Sequence, residues 1–396
     1  MTISGTRDRS RRRLRLPTTL RGSRGRSVHY ASGMRSESCA CGGTLFFGDR
    51  SCLRCERRVV LCPSCRQTAA VQTRDDGTLR CLNPECPPEG DHHDDDEARP
   101  GAILLHCGNS FRHRVCNGAV IKVEAGQPGF NLCRYCRLNQ VIPALTVAGN
   151  LEKWRRLEQA KHRVLAGFEQ VGFGLEAAAV SASDALRFEF KSADVEPVNT
   201  GHWHGVITIR LSEADSVVRE QQRVLFGESK RTLTDHFRHE LGHYVWDWLV
   251  GPNRLGEFRD LFGNEAAVPY EQARGRHYAG GGPADWRKRH VTEYASMHPW
   301  EDFAETFRVY LELDAALRTA AFFGFLTPTG DAFGARIIDF LRLGVAGNEL
   351  ARDFGFDDIV AESFPDPVIA KLRFISELPS LVAETSERLQ PAPAGM

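Results

Sequence analysis

All twelve cysteines of this 396-residue chain lie between Cys39 and Cys136. They constrain the N-terminal third strongly, because they divide into three quartets in which cysteine pairs face each other across a loop. The quartets are Cys39, Cys41, Cys52 and Cys55; Cys62, Cys65, Cys81 and Cys86; and Cys107, Cys116, Cys133 and Cys136. Paired thiolates across a loop are the layout of a zinc ribbon, whose two knuckles clamp one tetrahedral Zn²⁺. Disulfides are the alternative, but no secretory signal is visible and Cys-x-x-Cys recurs three times. Three structural zinc ions are therefore expected. Cys39-Ala40-Cys41 is shorter than a standard knuckle and the gap from Cys107 to Cys116 is longer, which leaves His106 or His113 as substitute ligands in the third quartet.

A second metal signal of a different kind follows in His239-Glu240-Leu241-Gly242-His243. Histidines four apart on a helix share one face, so both imidazoles reach one Zn²⁺, while Glu240 projects about 100° away, beside the metal's water. From Thr232 to Leu249 the apolar residues Leu233, Phe237, Leu241, Val245, Trp248 and Leu249 recur at helical spacing, and Thr232 with Asp235 reads as a capping box. A catalytic zinc site needs a third protein ligand and an open fourth position. The Gly and His that metzincins add after the motif are replaced here by Trp246 and Leu249. The better source is the helix predicted to begin near Pro299, on which Glu301 and Glu305 share a face. Glu301 is assigned as the ligand, and Glu305 as the acceptor that fixes a ligating imidazole's tautomer. The plainer alternatives are metal-free histidines and a solvated acidic face.

The two segments Asp235-His236-Phe237-Arg238-His239-Glu240-Leu241-Gly242-His243-Tyr244-Val245-Trp246-Asp247 and His298-Pro299-Trp300-Glu301-Asp302-Phe303-Ala304-Glu305-Thr306 resemble the bacterial family of putative zinc-binding metallopeptidases, which carry an N-terminal zinc ribbon. The likeness runs from about Met34 past Glu312, through Cys133-Arg134-Tyr135-Cys136-Arg137-Leu138-Asn139 and Asn150-Leu151-Glu152-Lys153-Trp154. The arrangement is also similar to the gluzincin group, in which the first glutamate of a Glu-x-x-x-Glu/Asp helix completes the site. The resemblance implies peptide hydrolysis by a zinc-activated water, with Glu240 as general base. It further implies an oxyanion stabiliser, for which Tyr294 is the first choice and His298 and His290 the others. Leu186-Arg187-Phe188-Glu189-Phe190 and Val206-Ile207-Thr208-Ile209-Arg210-Leu211 read as strands. An edge strand of such a sheet pairs with extended substrate in zincins generally. His202 and His204 are candidates to line the cleft, and the middle cysteine quartet looks like an addition to the family's usual ribbon.

The fold class expected is α+β: a zincin-like, mostly helical metallopeptidase domain with a small sheet, preceded by small zinc-ribbon modules. The boundaries expected are an Arg-rich disordered leader at 1–33, ribbons at 34–60, 61–100 (with an acidic linker) and 101–145, the peptidase domain at 146–365, and a C-terminal helix and tail at 366–396. The leader holds nine Arg against one Asp, a surplus that the rest of the chain offsets, since the whole sums to zero. Translation starting at Met34 is the preferred account of it. A net-negative body disfavours a nucleic-acid coat. A helix capped by Asn150 is expected to lead into the catalytic domain, and Gly280-Gly281-Gly282-Pro283 to form a flexible part of a lid. Nothing approaches a membrane-spanning apolar run. The expected protein is cytoplasmic, with a peptide or protein substrate, one catalytic zinc and up to three structural ones. The rival class is a protein- or nucleic-acid-binding ribbon protein whose peptidase-like domain is inactive or structural; Arg112, Arg114, Lys122, Arg134 and Arg137 make its third ribbon basic.

Overall fold

A computed structural model describes residues 36–87, 101–122, 131–175, 185–193, 198–225 and 230–389. The leader with Met34, the body of the acidic linker and the end of the C-terminal tail lie outside the described residues.

The cysteine-rich third is built from short strands that bury few apolar side chains, the situation in which metal ligation supplies missing stability. β1 (Ser36–Ser38) and β2 (Thr44–Phe46) form a hairpin around the first cysteine pair. β3 (Val59–Leu61), β4 (Thr68–Thr73), β5 (Leu79–Cys81), β6 (Ile103–His106) and β7 (Ala119–Ile121) form one antiparallel meander in chain order. That sheet passes from the second quartet to the third without a break. The groups are joined elsewhere too: Leu61 bridges Gly118, and the Arg50 guanidinium donates to the carbonyls of Cys116 at 2.5 Å and Ser110 at 3.2 Å. Gly118 is required by packing, because a Cβ there would stand 2.5 Å from Cys133 Sγ.

β8 (Asn139–Val141) leaves the third quartet and runs parallel to β9 (Arg187–Lys191). With β10 (Gly201–Trp203) and β11 (Val206–Arg210) they make a sheet of order β10-β11-β9-β8, in which only the β10–β11 pair is antiparallel. The expected strands are present, Leu186 preceding the first and Leu211 following the second.

The long helix Asn150–Gln170 buries Trp154, Leu157, Val164, Leu165 and Phe168. Gly149, at φ +85°, is its N-cap; Asn150 instead donates its side-chain amide to the Ala144 carbonyl at 3.1 Å, which corrects the expected cap. The motif helix, Leu233–Val245, continues into a wider π-helical turn at Trp246–Val250. Thr232 Oγ accepts from the Asp235 amide at 3.1 Å, but the Asp235 carboxylate faces Arg238, so half of the expected capping box is formed.

The helix Pro299–Phe322 packs against the motif helix at a distance that glycine sets. A Cβ on Gly242 would lie 2.8 Å from Ala304 Cα and 3.2 Å from Phe307 Cβ. Around this crossing a phenylalanine cluster fills the core, with the Phe168 and Phe173 rings stacked at 4.8 Å and Phe173 against Phe307 at 5.5 Å. Helices Phe333–Asp353 and Asp366–Leu389 support the far side of Pro299–Phe322. The α+β class is as expected, with the small sheet and helical body behind ribbon-like modules. Among the described residues no helix is long and apolar enough to cross a membrane.

Candidate metal centres

Each cysteine quartet converges on a point, its four sulfurs within 4.8 Å of one another. Four sulfurs around Zn²⁺ at a bond length of about 2.3 Å stand about 3.8 Å apart along each tetrahedral edge. The structure has Cys39 to Cys55 at 3.7 Å, Cys41 to Cys52 at 3.6 Å, Cys62 to Cys86 at 3.8 Å and Cys116 to Cys136 at 3.5 Å. The short Cys39-Ala40-Cys41 knuckle and the long third gap therefore both close on a common centre. Neither histidine substitute enters: His106 Nε2 meets the Arg58 guanidinium at 2.6 Å, and the His113 ring packs on Trp154.

The third quartet is tied to the helical body by buried polar groups of Asn150–Gln170. Cys136 Sγ lies 3.3 Å from Glu158 Oε1 and 3.5 Å from His162 Nε2, and Lys161 Nζ is 2.7 Å from that same Glu158 oxygen with both side chains wholly buried. Burial opposes the charge on Glu158, but Lys161 and His162 hold its pKa down to about 2. A helix face that reads as charged in sequence is here an interior one, because each charge has a partner.

The second centre lies where the motif helix crosses Pro299–Phe322. His239 Nε2 and His243 Nε2 are 3.1 Å apart, and Glu301 Oε2 is 3.0 Å from the first and 3.5 Å from the second. Bonds of about 2.1 Å to a tetrahedral zinc imply edges of about 3.4 Å, so this N, N, O set also fits the ion. Burial works against a charged Glu301, but the two imidazoles outweigh it and hold its pKa well below the usual carboxylate range. Glu305 Oε1 accepts from His239 Nδ1 at 2.8 Å, and Glu305 Oε2 accepts from Thr292 Oγ at 2.9 Å and the Arg308 guanidinium at 3.1 Å. That network leaves Nε2 of His239 as the nitrogen turned to the centre. The His243 ring stacks on Trp300 at 3.6 Å.

Glu240 is buried one residue from His239, with Oε2 unpaired among the described residues. Burial pushes its carboxyl up to about 7. A carboxyl with that value and no fixed partner is suited to exchanging protons near neutrality.

Tyr294 lies with its ring 6.1 Å from that of His239, and burial pushes its hydroxyl well above the usual tyrosine range. The Tyr270 hydroxyl donates to Glu301 Oε1 at 2.7 Å. Sequence reading missed Tyr270, which follows Pro269 at the start of a weakly patterned helix, Tyr270–Gly280. The other oxyanion candidates are engaged elsewhere: His290 Nδ1 is 3.1 Å from Asp302, and His298 caps the helix by accepting from the Trp300 amide. His202 lies on the edge strand 3.6 Å from Asp247, and His204 forms the β10–β11 turn at φ +47°. Gly280–Pro283 is not a loose lid: the Gly282 amide donates to Glu293 at 2.8 Å, and a Cβ there would meet Ser296 Oγ at 2.5 Å.

Comparison with known proteins agrees with both kinds of centre. The family described as "Putative zinc-binding metallo-peptidase" matches residues 150–378, and a zinc-ribbon domain matches residues 37–147. Uncharacterized proteins of Mycobacterium tuberculosis and Mycobacterium bovis are each 37% identical to this chain over 289 residues, 70% of this chain and 82% of the relative. No solved structure matches.

Proposed function

We propose that this chain, which belongs to the zinc-binding metallo-peptidase family that matches residues 150–378, is a gluzincin-like hydrolase of peptide bonds. Its catalytic zinc is held by His239, His243 and Glu301, and Glu240 is its general base. The observation that carries this reading is the buried triangle of His239 Nε2, His243 Nε2 and Glu301 Oε2 with the unpaired Glu240 carboxyl beside it. A zinc ion held there by His239, His243 and Glu301 would supply Lewis acidity towards a water and the scissile carbonyl. Glu240 receives the water's proton and passes it to the departing amine. Glu305 keeps His239 in the Nδ1–H tautomer. Tyr294, beside His239, donates to the developing oxyanion, while Tyr270 is a positioning residue that fixes the Glu301 carboxylate.

The three cysteine quartets are assigned one structural zinc each, and reduced thiolates suit a cytoplasmic location. Exposed Arg112 and Arg114 flank the exposed Phe111 ring on the third ribbon group, which supports recruitment of substrate or a partner there.

The test is metal content together with cleavage of mixed peptides, comparing the parent with Glu240→Gln. Chelator-sensitive cleavage that the variant loses while keeping its zinc carries the proposal. Equal cleavage by both, or none by a zinc-replete parent, sinks it in favour of a ribbon protein with a structural peptidase-like domain. Replacing Tyr294 by Phe should lower kcat more than KM; unchanged turnover removes it from the mechanism.

A further inference from the structure

A cavity of about 310 Å³ opens between the helix Tyr270–Gly280 and the turn that precedes Pro299. This is the lower end of the ~300–1,000 Å³ range of small-ligand pockets. Its lining is apolar at Val268, Ala273 and Met297, and its polar side chains are Asn264, Arg276, His277, Ser296 and His298; the Ser296 hydroxyl already donates to the Glu293 carbonyl at 2.6 Å and His298 accepts from the Trp300 amide. Arg274, two residues before Arg276, is paired with Glu271. Arg276 has no carboxylate partner among the described residues, and the nearby Glu293 is turned onto the Gly282 amide.

One aromatic ring stands between a cavity residue and the metal centre: Tyr294 lies 5.8 Å from the His277 ring and 6.1 Å from the His239 ring. Extended peptide advances ~3.3–3.6 Å per residue, so two such ring steps span no more than about four residues. The helix that starts at Pro299 on the cavity rim also supplies Glu301.

We propose that this cavity binds a carboxylate of the peptide substrate, within about four residues of the bond cut, through the Arg276 guanidinium with Asn264 and His277. The inference rests on the peptidase reading for its substrate class. A guanidinium presents a planar fork that matches a carboxylate, and one cation among neutral donors balances one negative charge. The carboxylate belongs to an acidic side chain or to the peptide's free C terminus.

The experiment uses full-length, zinc-loaded protein and alanine-serine octapeptides. One set is amidated and carries a single glutamate moved through each position, its twin carries glutamine, and a third peptide has a free C-terminal acid. Binding is measured on Glu240→Gln, with and without Arg276→Gln, and cleavage is measured on the parent and on Arg276→Gln. We expect at least tenfold tighter binding for one glutamate position, or for the free acid, than for its neutral twin. Arg276→Gln should abolish that preference and leave the neutral peptides unchanged; Arg276→Lys should restore part of it. Preference for an internal glutamate identifies a side-chain pocket, and preference for the free acid alone identifies C-terminal recognition. Equal binding of acidic and neutral peptides, no binding, or a preference that survives Arg276→Gln overturns the proposal. Cleavage without carboxylate preference defeats the pocket and spares the peptidase reading, whereas Arg276-dependent binding without cleavage does the reverse.

Discussion

Replacing Gly242 by Ala tests whether the crossing of two helices, rather than the ligands alone, determines metal affinity. The new Cβ would stand 2.8 Å from Ala304 Cα, 3.1 Å from its carbonyl oxygen and 3.2 Å from Phe307 Cβ. Carbon atoms pack at about 3.5 Å or more, so the helices must part by roughly 0.7 Å. His243 is the next residue on one helix, and Glu301 is three residues before Ala304 on the other. Metal sites tolerate about 0.5 Å of error, so the displacement falls directly on the ligand triangle. Two stability effects oppose each other: the helix gains about 1 kcal/mol from Gly to Ala, and overpacking costs about 1–3 kcal/mol. Stability should therefore fall by no more than about 2 kcal/mol, a Tm loss of a few degrees. Zinc affinity at the His-His-Glu centre should fall about 10–100-fold, as when a supporting group of a metal site is lost. The assay pairs thermal melting by circular dichroism with chelator competition for the most labile zinc. A raised Tm with undiminished affinity would show that the helices do not meet as described.

Tyr270→Phe deletes the 2.7 Å hydrogen bond to Glu301 and should weaken the same zinc about tenfold without altering the metal held by thiolates, as metal analysis after graded chelation would show. Gly118→Ala drives a Cβ into Cys133 Sγ and should cost one thiolate-bound zinc, read as a fall in the metal-to-protein ratio; unchanged metal would contradict the packing. Glu158→Gln leaves the Lys161 ammonium buried without its counter-charge, at a cost of about 3–5 kcal/mol. Since the folded pKa of Glu158, about 2, lies below its usual 4.5, the stability gap between parent and variant should be complete above pH 4.5. It should close as the pH falls towards 2, and a gap that widened in acid would reverse the assignment of charge.

The grouping of His239, His243 and Glu301 was legible because each half is local: one helix fixes the two imidazoles, and Pro299 with the acid pair marks the other. The cysteine quartets were legible for the same reason, since knuckle spacing survives unusual loop lengths. Tyr270 was not legible, because it meets Glu301 from 31 residues away and belongs to a helix without a clear apolar stripe. The buried Glu158, Lys161 and His162 were hidden by the ordinary association of charge with solvent, which fails where ions are mutually paired. Gly281 and Gly282 read as flexible, yet Gly281 ends a helix at φ +73° and Gly282 packs beneath Ser296, so their small size serves close contact. The cap expected at Asn150 falls one residue earlier, because Gly149 alone adopts the left-handed backbone that begins the helix there.

The parallel pairing of β8 with β9 makes any fragment that begins at residue 150 an incomplete one. Such a fragment would lack Asn139–Val141 and present the backbone of Arg187–Lys191 as a bare border, open to pairing with other molecules. It would also forfeit Cys136, against which Glu158 and His162 rest. Expression of residues 150–378 alone should accordingly give aggregates, whereas trimming that stops upstream of Asn139 keeps this border covered, and trimming that stops upstream of Cys107 also keeps the third cysteine quartet whole.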